Sequence, residues 1–439
     1  MSERGSAGTV GRDSVRTLAF NIGAGVFGVT TGILVAKTLG PAGKGQFSEL
    51  SLLQGGVASI VGGIGSSITY YLTNARRPLA DLLVPLIALL GALSLMVVAA
   101  LGLWSVRAGY DIVMIVFAAT APAIVVLSWQ QGLLVGLNQI KSLNSQVLGL
   151  AVAVLAGTGV ALALHRGVTP VLWSWSICTY LAAAVVAWRA LRAASGPRTT
   201  DFRSNLGGLV NFGVRSALNG VMGFLNYRID SLVLIGYMGA AGFGIYSIAV
   251  AAGEALFRIS RAVSTATTYH IGTQDLAGSA ALTAKSVRAS TAAVALAAAV
   301  LFALAPWVVQ LFYGTRFAAA APALRILLPG IVVFASGGIF SQFFAFQLGR
   351  PMFVVYVNLL MIVVQTGACI LLVPVWGLIG AAAASTATYL IAAIGETIYF
   401  CRTTGLKPVE VWIPHRDDLK SLRALVQRVA PFGRASSAR

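Results

Sequence analysis

Long apolar stretches separated by short polar segments follow one another along the whole chain. Each has about 20 residues or more, enough for a helix to cross the hydrocarbon core of a membrane at about 1.5 Å per residue. The predicted spans, numbered 1 to 12, are residues 15–38, 46–72, 80–104, 111–136, 143–164, 169–190, 208–236, 244–268, 287–313, 322–347, 352–375 and 378–401. The pattern therefore predicts an all-α polytopic membrane protein with about twelve transmembrane helices.

The composition excludes a water-soluble protein. Of the 439 residues, 57% are apolar and only 10% are charged, whereas soluble domains carry about 25% charged residues. Residues 1–14 are polar, and the first span is too long for a secretory signal and has no clear cleavage site, so we expect the first helix to stay in the membrane.

The formal net charge of +18 raises the question of a nucleic-acid partner. Most basic residues, however, fall in alternate loops and in the tail, which is the asymmetry that the positive-inside rule describes. The basic positions on that side are Arg76, Arg77, Lys141, Arg189, Arg192, Arg198, Arg203, Lys285, Arg288, Arg350 and the tail after Arg402. We therefore expect both termini in the cytoplasm and no nucleic acid as a partner.

The stretch "LGPAGKGQFS", residues 39–48, combines three glycines with a lysine, as a phosphate-binding loop does. A shift of 199 positions places it on "MGAAGFGIYS", residues 238–247, where Gly40 meets Gly239 and Phe47 meets Tyr246 but the lysine is not repeated. Because no strand precedes the stretch, a turn between two helices is favoured over phosphate binding. Gly40 suits a left-handed cap there, and Pro41 cannot prolong the preceding helix.

The same ungapped shift aligns Arg16 with Arg215 and Thr69 with Thr268. It therefore predicts two six-helix lobes that are related by duplication and, because six is even, cross the membrane in the same direction. The predicted divisions are an N-terminal lobe at 1–192, a cytoplasmic linker at 193–206, a C-terminal lobe at 207–402 and a cytoplasmic basic tail at 403–439.

Three stretches carry a resemblance to a known family: "AKTLGPAGKGQFSELSLL", "LNYRIDSLVLIGYMGAAGFGIYSIA" and "LLVPVWGLIGAAAASTATYL". The chain resembles the multidrug/oligosaccharidyl-lipid/polysaccharide (MOP) exporter superfamily and, within it, the Wzx-type polysaccharide flippases. The resemblance implies a V-shaped pair of bundles around a central cavity in the cytoplasmic membrane, with alternating access. It also implies a polyprenyl-pyrophosphate-linked oligosaccharide as substrate and glycan polymerases or glycosyltransferases as partners.

Ionisable side chains within the spans are costly in a membrane, at roughly 2.5 to 3.5 kcal/mol each, and need a partner, a cavity or a function. Most of them cluster in spans 7 and 8: Arg228, Asp230, Glu254, Arg258 and Arg261. Under the shift of 199 these positions correspond to Val29, Thr31, Gly55, Ser59 and Gly62. The helix pair is therefore built without these charges in the first lobe.

The arginines of this cluster are predicted to line the cavity and bind pyrophosphate, because guanidinium suits bidentate phosphate contact. Asp230 and Glu254 would hold the arginines between cycles or couple transport to a cation. The alternative is structural: Glu254 and Arg258, four residues apart, pair along one helix, and Arg261 reaches the cytoplasmic interface.

Two other classes of protein, an antiporter and an enzyme, are alternatives to the flippase. A Na⁺- or H⁺-coupled multidrug or metabolite antiporter of the same superfamily is the alternative, although members of that branch often have an acid in the first helix and span 1 has none. An enzyme is not expected, because the outer loops are short and no nucleophile with a base appears. The cysteines and histidines lack metal-ligand spacing, and no cofactor is expected.

Overall fold

The computed structural model describes residues 3–108, 111–165, 167–194 and 201–413. Within these ranges the regular elements are helices: α1 (Glu3–Thr73), α2 (Leu79–Ala108), α3 (Ile112–Gly136), α4 (Ile140–Leu164), α5 (Val168–Ala193), α6 (Phe202–Thr273), α7 (Leu276–Tyr313), α8 (Ala320–Phe334), α9 (Gly337–Gln342), α10 (Pro351–Thr404) and α11 (Pro408–Trp412). A 3₁₀ turn, Thr315–Phe317, precedes α8, and a π turn, Phe343–Gln347, follows α9. Much of the predicted linker and most of the predicted tail lie outside the described residues.

Three of these helices are double. The long helices α1, α6 and α10 each contain one glycine with non-helical backbone angles, at Gly40, Gly239 and Gly377, and so each holds two of the predicted spans. In the described part of the chain, nine helical segments are long and apolar enough to cross a membrane. With three of the segments counted double, all twelve predicted spans are accounted for, and the predicted all-α polytopic fold is confirmed.

The two repeated turns have nearly the same backbone conformation. Gly40 has φ 69° and ψ −168°, and Gly239 has φ 62° and ψ −168°. A left-handed cap would have ψ near +47°, so that part of the prediction is wrong. The observed combination belongs to a region that is essentially restricted to glycine. The turn between the two helices therefore requires glycine. We call the helical parts before and after this glycine the first and second arms of α1, α6 and α10. Pro41 begins the second arm of α1.

The contacts divide the chain into two compact units. The first comprises residues 1–228 and 240–244. In it, α1 packs against α3 and α4, with the indole N–H of Trp129 donating to the carbonyl of Val61 at 2.9 Å and the hydroxyl of Thr69 donating to the carbonyl of Gly132 at 3.0 Å. An apolar core that includes Leu50 on α1, Val113 and Phe117 on α3, and Leu172 on α5 joins these three helices.

The second unit comprises residues 229–239 and 245–439. In it, α8 packs against α7 and α10. Span 10 was predicted as one continuous helix, but the structure divides it into α8, α9 and the π turn, with Ala335 and Ser336 between the two helices. The division follows the run Ala335-Ser336-Gly337-Gly338, since glycine weakens a helix.

The boundaries of the compact units differ from those of the predicted lobes, because the first arm of α6, up to Arg228, packs within the first unit. The predicted lobes rest on the sequence repeat and stay a prediction.

Candidate transport site

The candidate site in the second unit centres on Asp230, which is buried in the first arm of α6 at 3% exposure. Its Oδ2 accepts a hydrogen bond from the hydroxyl of Tyr246 at 2.6 Å and another from the hydroxyl of Ser385 at 3.0 Å. Its Oδ1 accepts from the backbone N–H and the hydroxyl of Ser231, at 2.6 and 3.2 Å. The two oxygens therefore accept four hydrogen bonds, which come from Tyr246, Ser385 and Ser231.

The network extends beyond the carboxylate to Gln365 on the first arm of α10. Its side-chain amide donates to the hydroxyl of Ser385 at 3.0 Å, and both residues are fully buried. The amide oxygen of Gln365 is also buried and has no hydrogen-bond partner in the described part of the chain. Ser385 thus links the Asp230 carboxylate to Gln365, whose amide oxygen is an unused acceptor in the described part of the chain.

The second arm of α6 has a packed face and an uncovered face within the second unit. On the packed face, the ring of Phe257 contacts the ring of Phe334 with centroids 5.8 Å apart, and the hydroxyl of Ser260 donates to the carbonyl of Ala335. Arg258 and Arg261 are exposed. The two guanidinium groups are therefore not among the contacts that the structure describes between the second arm of α6 and α8 or α9.

The other two predicted site residues are less exposed. Glu254 is half-buried in the second arm of α6, in the second unit, and Arg228 is half-buried at the end of the part of α6 that belongs to the first unit. The pairing of Glu254 with Arg258 and the interfacial position of Arg261 stay alternatives, as does a pyrophosphate role for the three arginines.

The hydrogen bonds bear on the predicted role of Asp230. The donors to its carboxylate are hydroxyl groups and a backbone N–H. None of these described donors is an arginine, and both roles considered for Asp230, holding the arginines or coupling to a cation, stay predictions.

Four residues of this network were not predicted: Ser231, Tyr246, Gln365 and Ser385. One of them had a signal in the sequence. Under the repeat, Tyr246 aligns with Phe47 and Asp230 with Thr31, so a hydroxyl and a carboxylate are both present only in the second half. The presence of both residues only in the second half indicates a contact between Tyr246 and Asp230 that the first half lacks. Ser385 and Gln365 lie more than 130 positions from Asp230 and had no such signal.

Known proteins resemble this chain in sequence and in fold. A family model described as "Polysaccharide biosynthesis protein" matches residues 114–322. No curated protein sequence matches the chain significantly.

Solved structures share the fold over most of the chain. An inward-facing multidrug resistance MATE family transporter of the MOP superfamily is 17% identical, with a TM-score of 0.72 over 89% of this chain and 98% of that one. An outward-facing transporter of the same description is 17% identical, with a TM-score of 0.60 over 90% and 95%. A MOP superfamily transporter from Pyrococcus furiosus, described as having a binding pocket of reverse polarity, is 16% identical, with a TM-score of 0.57 over 90% and 93%.

The chain therefore has the fold of multi-pass membrane transporters of the MOP superfamily over most of its length. The predicted resemblance to that superfamily is confirmed. The family match adds polysaccharide biosynthesis as the context in which similar chains are found.

Proposed function

We propose that this protein is a flippase that moves a polyprenyl-pyrophosphate-linked oligosaccharide from the cytoplasmic to the outer leaflet of the cytoplasmic membrane, for surface polysaccharide synthesis. The transporter fold and the match to polysaccharide biosynthesis proteins support a role in that context. Both termini would lie in the cytoplasm, as the distribution of basic residues predicts. Enzymatic activity is not part of the proposal.

The observation that carries the proposal is the uncovered face of α6 with Arg258 and Arg261. Arginine within a span is costly, and these two side chains are not used in packing on α8 and α9. A pyrophosphate carries several negative oxygens, and a guanidinium can bind two of them at once. Arg228 stays a phosphate contact predicted from the sequence alone.

The direct test measures on which leaflet the lipid-linked oligosaccharide accumulates. Deletion of the protein should leave the substrate on the cytoplasmic leaflet, and Arg228→Ala and Arg258→Ala should lower export at matched protein level. One charge-assisted hydrogen bond is worth about 1.5 to 3 kcal/mol, so each variant should lose about tenfold or more. Arg316→Ala, an exposed arginine in the 3₁₀ turn, is the matched control. Normal outward accumulation without the protein would refute the proposal, and undiminished export in both variants would refute the phosphate role.

Asp230 would couple transport to a cation. Its carboxylate is buried and receives four hydrogen bonds, but these are dipolar contacts that leave its charge in the membrane. Entry of a cation beside it would neutralise the charge, so the ion's gradient could drive the cycle. Asp230→Asn should make transport insensitive to the gradient while Arg316→Ala leaves that sensitivity intact.

A cation-coupled multidrug antiporter is the second candidate, because the buried Asp230 network and the fold shared with multidrug transporters also suit it. The two functions differ in the charge of the substrate, since a cationic drug would not be attracted by arginines. Export of cationic dyes that depends on this protein, together with normal leaflet distribution of the lipid-linked oligosaccharide, would favour the antiporter.

A further inference from the structure

A second buried carboxyl group, Glu396, lies in the second arm of α10 and takes no part in the candidate transport site. The residue is 4% exposed. Its Oε2 is buried and has no hydrogen-bond partner in the ranges that the structure describes. A buried polar atom without a partner is rare and calls for an explanation.

The carboxyl group lies against the interruption of span 10. A Cβ atom added to Gly337, the first residue of α9, would be 3.2 Å from Oε2 of Glu396. Two backbone carbonyls at this interruption accept hydrogen bonds from α6: Ser260 donates to the carbonyl of Ala335, and Ser264 donates to the carbonyl of Gly338 at 3.4 Å. Glu396 therefore faces a point at which the backbone of a membrane span is discontinuous.

Aromatic side chains precede and follow Glu396 on the same face of its helix. Tyr389, two turns earlier on the same face of α10, stacks on Phe334 with centroids 4.6 Å apart. Phe400, one turn later, is fully buried and contacts Phe340 and Phe343. An ionised carboxylate between two such aromatic groups would be deprived of solvation without receiving an opposite charge.

The charged groups on the neighbouring elements are engaged or directed elsewhere. Arg258 and Arg261 are exposed on α6, on which Glu254 is half-buried, and Lys285 is exposed on α7. Arg288 donates to the carbonyl of Glu410, whose side chain accepts from the N–H of Lys407.

At the two ends of the neighbouring helices, Arg325 on α8 donates to the carbonyl of Phe302, and Arg402 at the end of α10 is exposed. The phenol of Tyr399 is hydrogen-bonded by Arg350. In the described ranges, therefore, no cation is paired with Glu396.

We propose that Glu396 is a proton-binding site, distinct from Asp230, in which the carboxyl group holds a proton while it faces the interruption between α8 and α9. The proton neutralises the group, so no unpaired charge is buried at this position. A metal cation would need several more oxygen ligands than this pocket offers. Movement at the interruption would expose the carboxyl group and let the proton exchange with water.

Infrared spectroscopy of the purified full-length protein in lipid nanodiscs tests this without using transport, so it is independent of the proposed flippase function. At neutral pH the carbonyl-stretching band of protonated carboxyl groups should lose the intensity of one group per chain in Glu396→Gln. Glu410→Gln, which changes an exposed residue of α11, is the matched control and should leave the band unchanged. An unchanged band in folded Glu396→Gln would overturn the proposal.

A second variant keeps the test decisive if Glu396→Gln does not fold. Gly337→Ala places a methyl group 3.2 Å from Oε2 and should shift the frequency of the band. Gly338→Ala, the neighbouring residue, would approach only the hydroxyl of Ser264, at 3.6 Å, which is an ordinary contact, and should cause no shift. The absence of a shift in Gly337→Ala would overturn the proposal.

Discussion

Gly45 and Gly244, which are equivalent in the sequence repeat, pack reciprocally on each other's turns within the first compact unit. A Cβ on Gly45 would overlap the carbonyl oxygen of Ala240, and a Cβ on Gly244 would overlap that of Pro41. Ala240 and Pro41 are themselves equivalent under the shift of 199. The two repeated turns thus meet backbone to backbone around a local pseudo-twofold axis, and glycine is required on both sides.

A substitution that pushes these turns apart should therefore make their residues more accessible to water. In a chain whose three cysteines are replaced by alanine, we expect Ala240→Cys to react faster with a water-soluble maleimide when Gly45→Ala is added, because the new methyl group cannot fit against the backbone. Gly62→Ala, which meets no atom within 4 Å, is the matched control and should leave the rate unchanged. Equal rates in both variants would show that the contact does not hold the turns together.

The positive φ of Gly239 should make it sensitive to substitution although it has room for a side chain. No atom lies within 4 Å of a Cβ at this position, so the cost of Gly239→Ala is purely conformational, about 1 to 3 kcal/mol. Gly236→Ala also meets open space, but in a helical conformation, and should stabilise the helix by up to about 1 kcal/mol. Unfolding free energies in mixed micelles give the comparison, and equal effects of both substitutions would contradict the prediction.

These turns also illustrate what the sequence predicts well. The repeat identified Gly40 and Gly239 as equivalent, and their backbone angles agree within a few degrees. The exact conformation was missed, because a glycine at the end of a helix permits several positive-φ states and the choice depends on the contact between the turns. Local chemistry thus predicts that glycine is needed, and tertiary packing selects its conformation.

Adjacent glycines in the second arm of α1 offer a second packing test. A Cβ on Gly63 would overlap the carbonyl oxygen of Gly213 and lie 2.7 Å from the backbone N of Ala217, whereas one on Gly62 meets nothing within 4 Å. We expect Gly63→Ala to destabilise the protein by about 1 to 3 kcal/mol, as overpacking does. Gly62→Ala should be neutral or stabilising. Thermal unfolding in detergent measures both, and equal melting temperatures would contradict the prediction.

The Asp230 network should depend on the hydroxyl of Tyr246. Tyr246→Phe removes the donor 2.6 Å from Oδ2 and leaves the buried carboxylate with three donors, so the folded state should lose about 1.5 to 3 kcal/mol. Tyr237→Phe, an exposed tyrosine in the same helix, is the matched control and should change the unfolding free energy by less than about 0.5 kcal/mol. A Tyr246→Phe protein as stable as the control would remove Tyr246 from the network.

The candidate site is predictable only in part, for a physical reason. The cost of charges in a membrane singles out Asp230, Arg258 and Arg261 from the sequence alone. Gln365 and Ser385 are uncharged and common in packed spans, and only folding brings them near Asp230. The interruption beside Glu396 is not predicted, because the apolar pattern of span 10 continues through the double glycine at 337 and 338.

Charge and geometry at Arg258 can be separated by substitution. If the guanidinium binds pyrophosphate through two hydrogen bonds, Arg258→Lys keeps the charge but loses the second bond, and Arg258→Ala loses both. The affinity for a polyprenyl-pyrophosphate lipid in nanodiscs should therefore fall in the order wild type, lysine, alanine, with about tenfold or more at each step. If Arg258 instead serves to pair with Glu254, only its charge matters, and the lysine variant would bind the lipid as tightly as the wild type. The lipid affinity of the double variant Glu254→Gln with Arg258→Ala would then be no lower than that of Arg258→Ala alone. A lysine variant with wild-type affinity would therefore favour the intrahelical pair over direct phosphate contact.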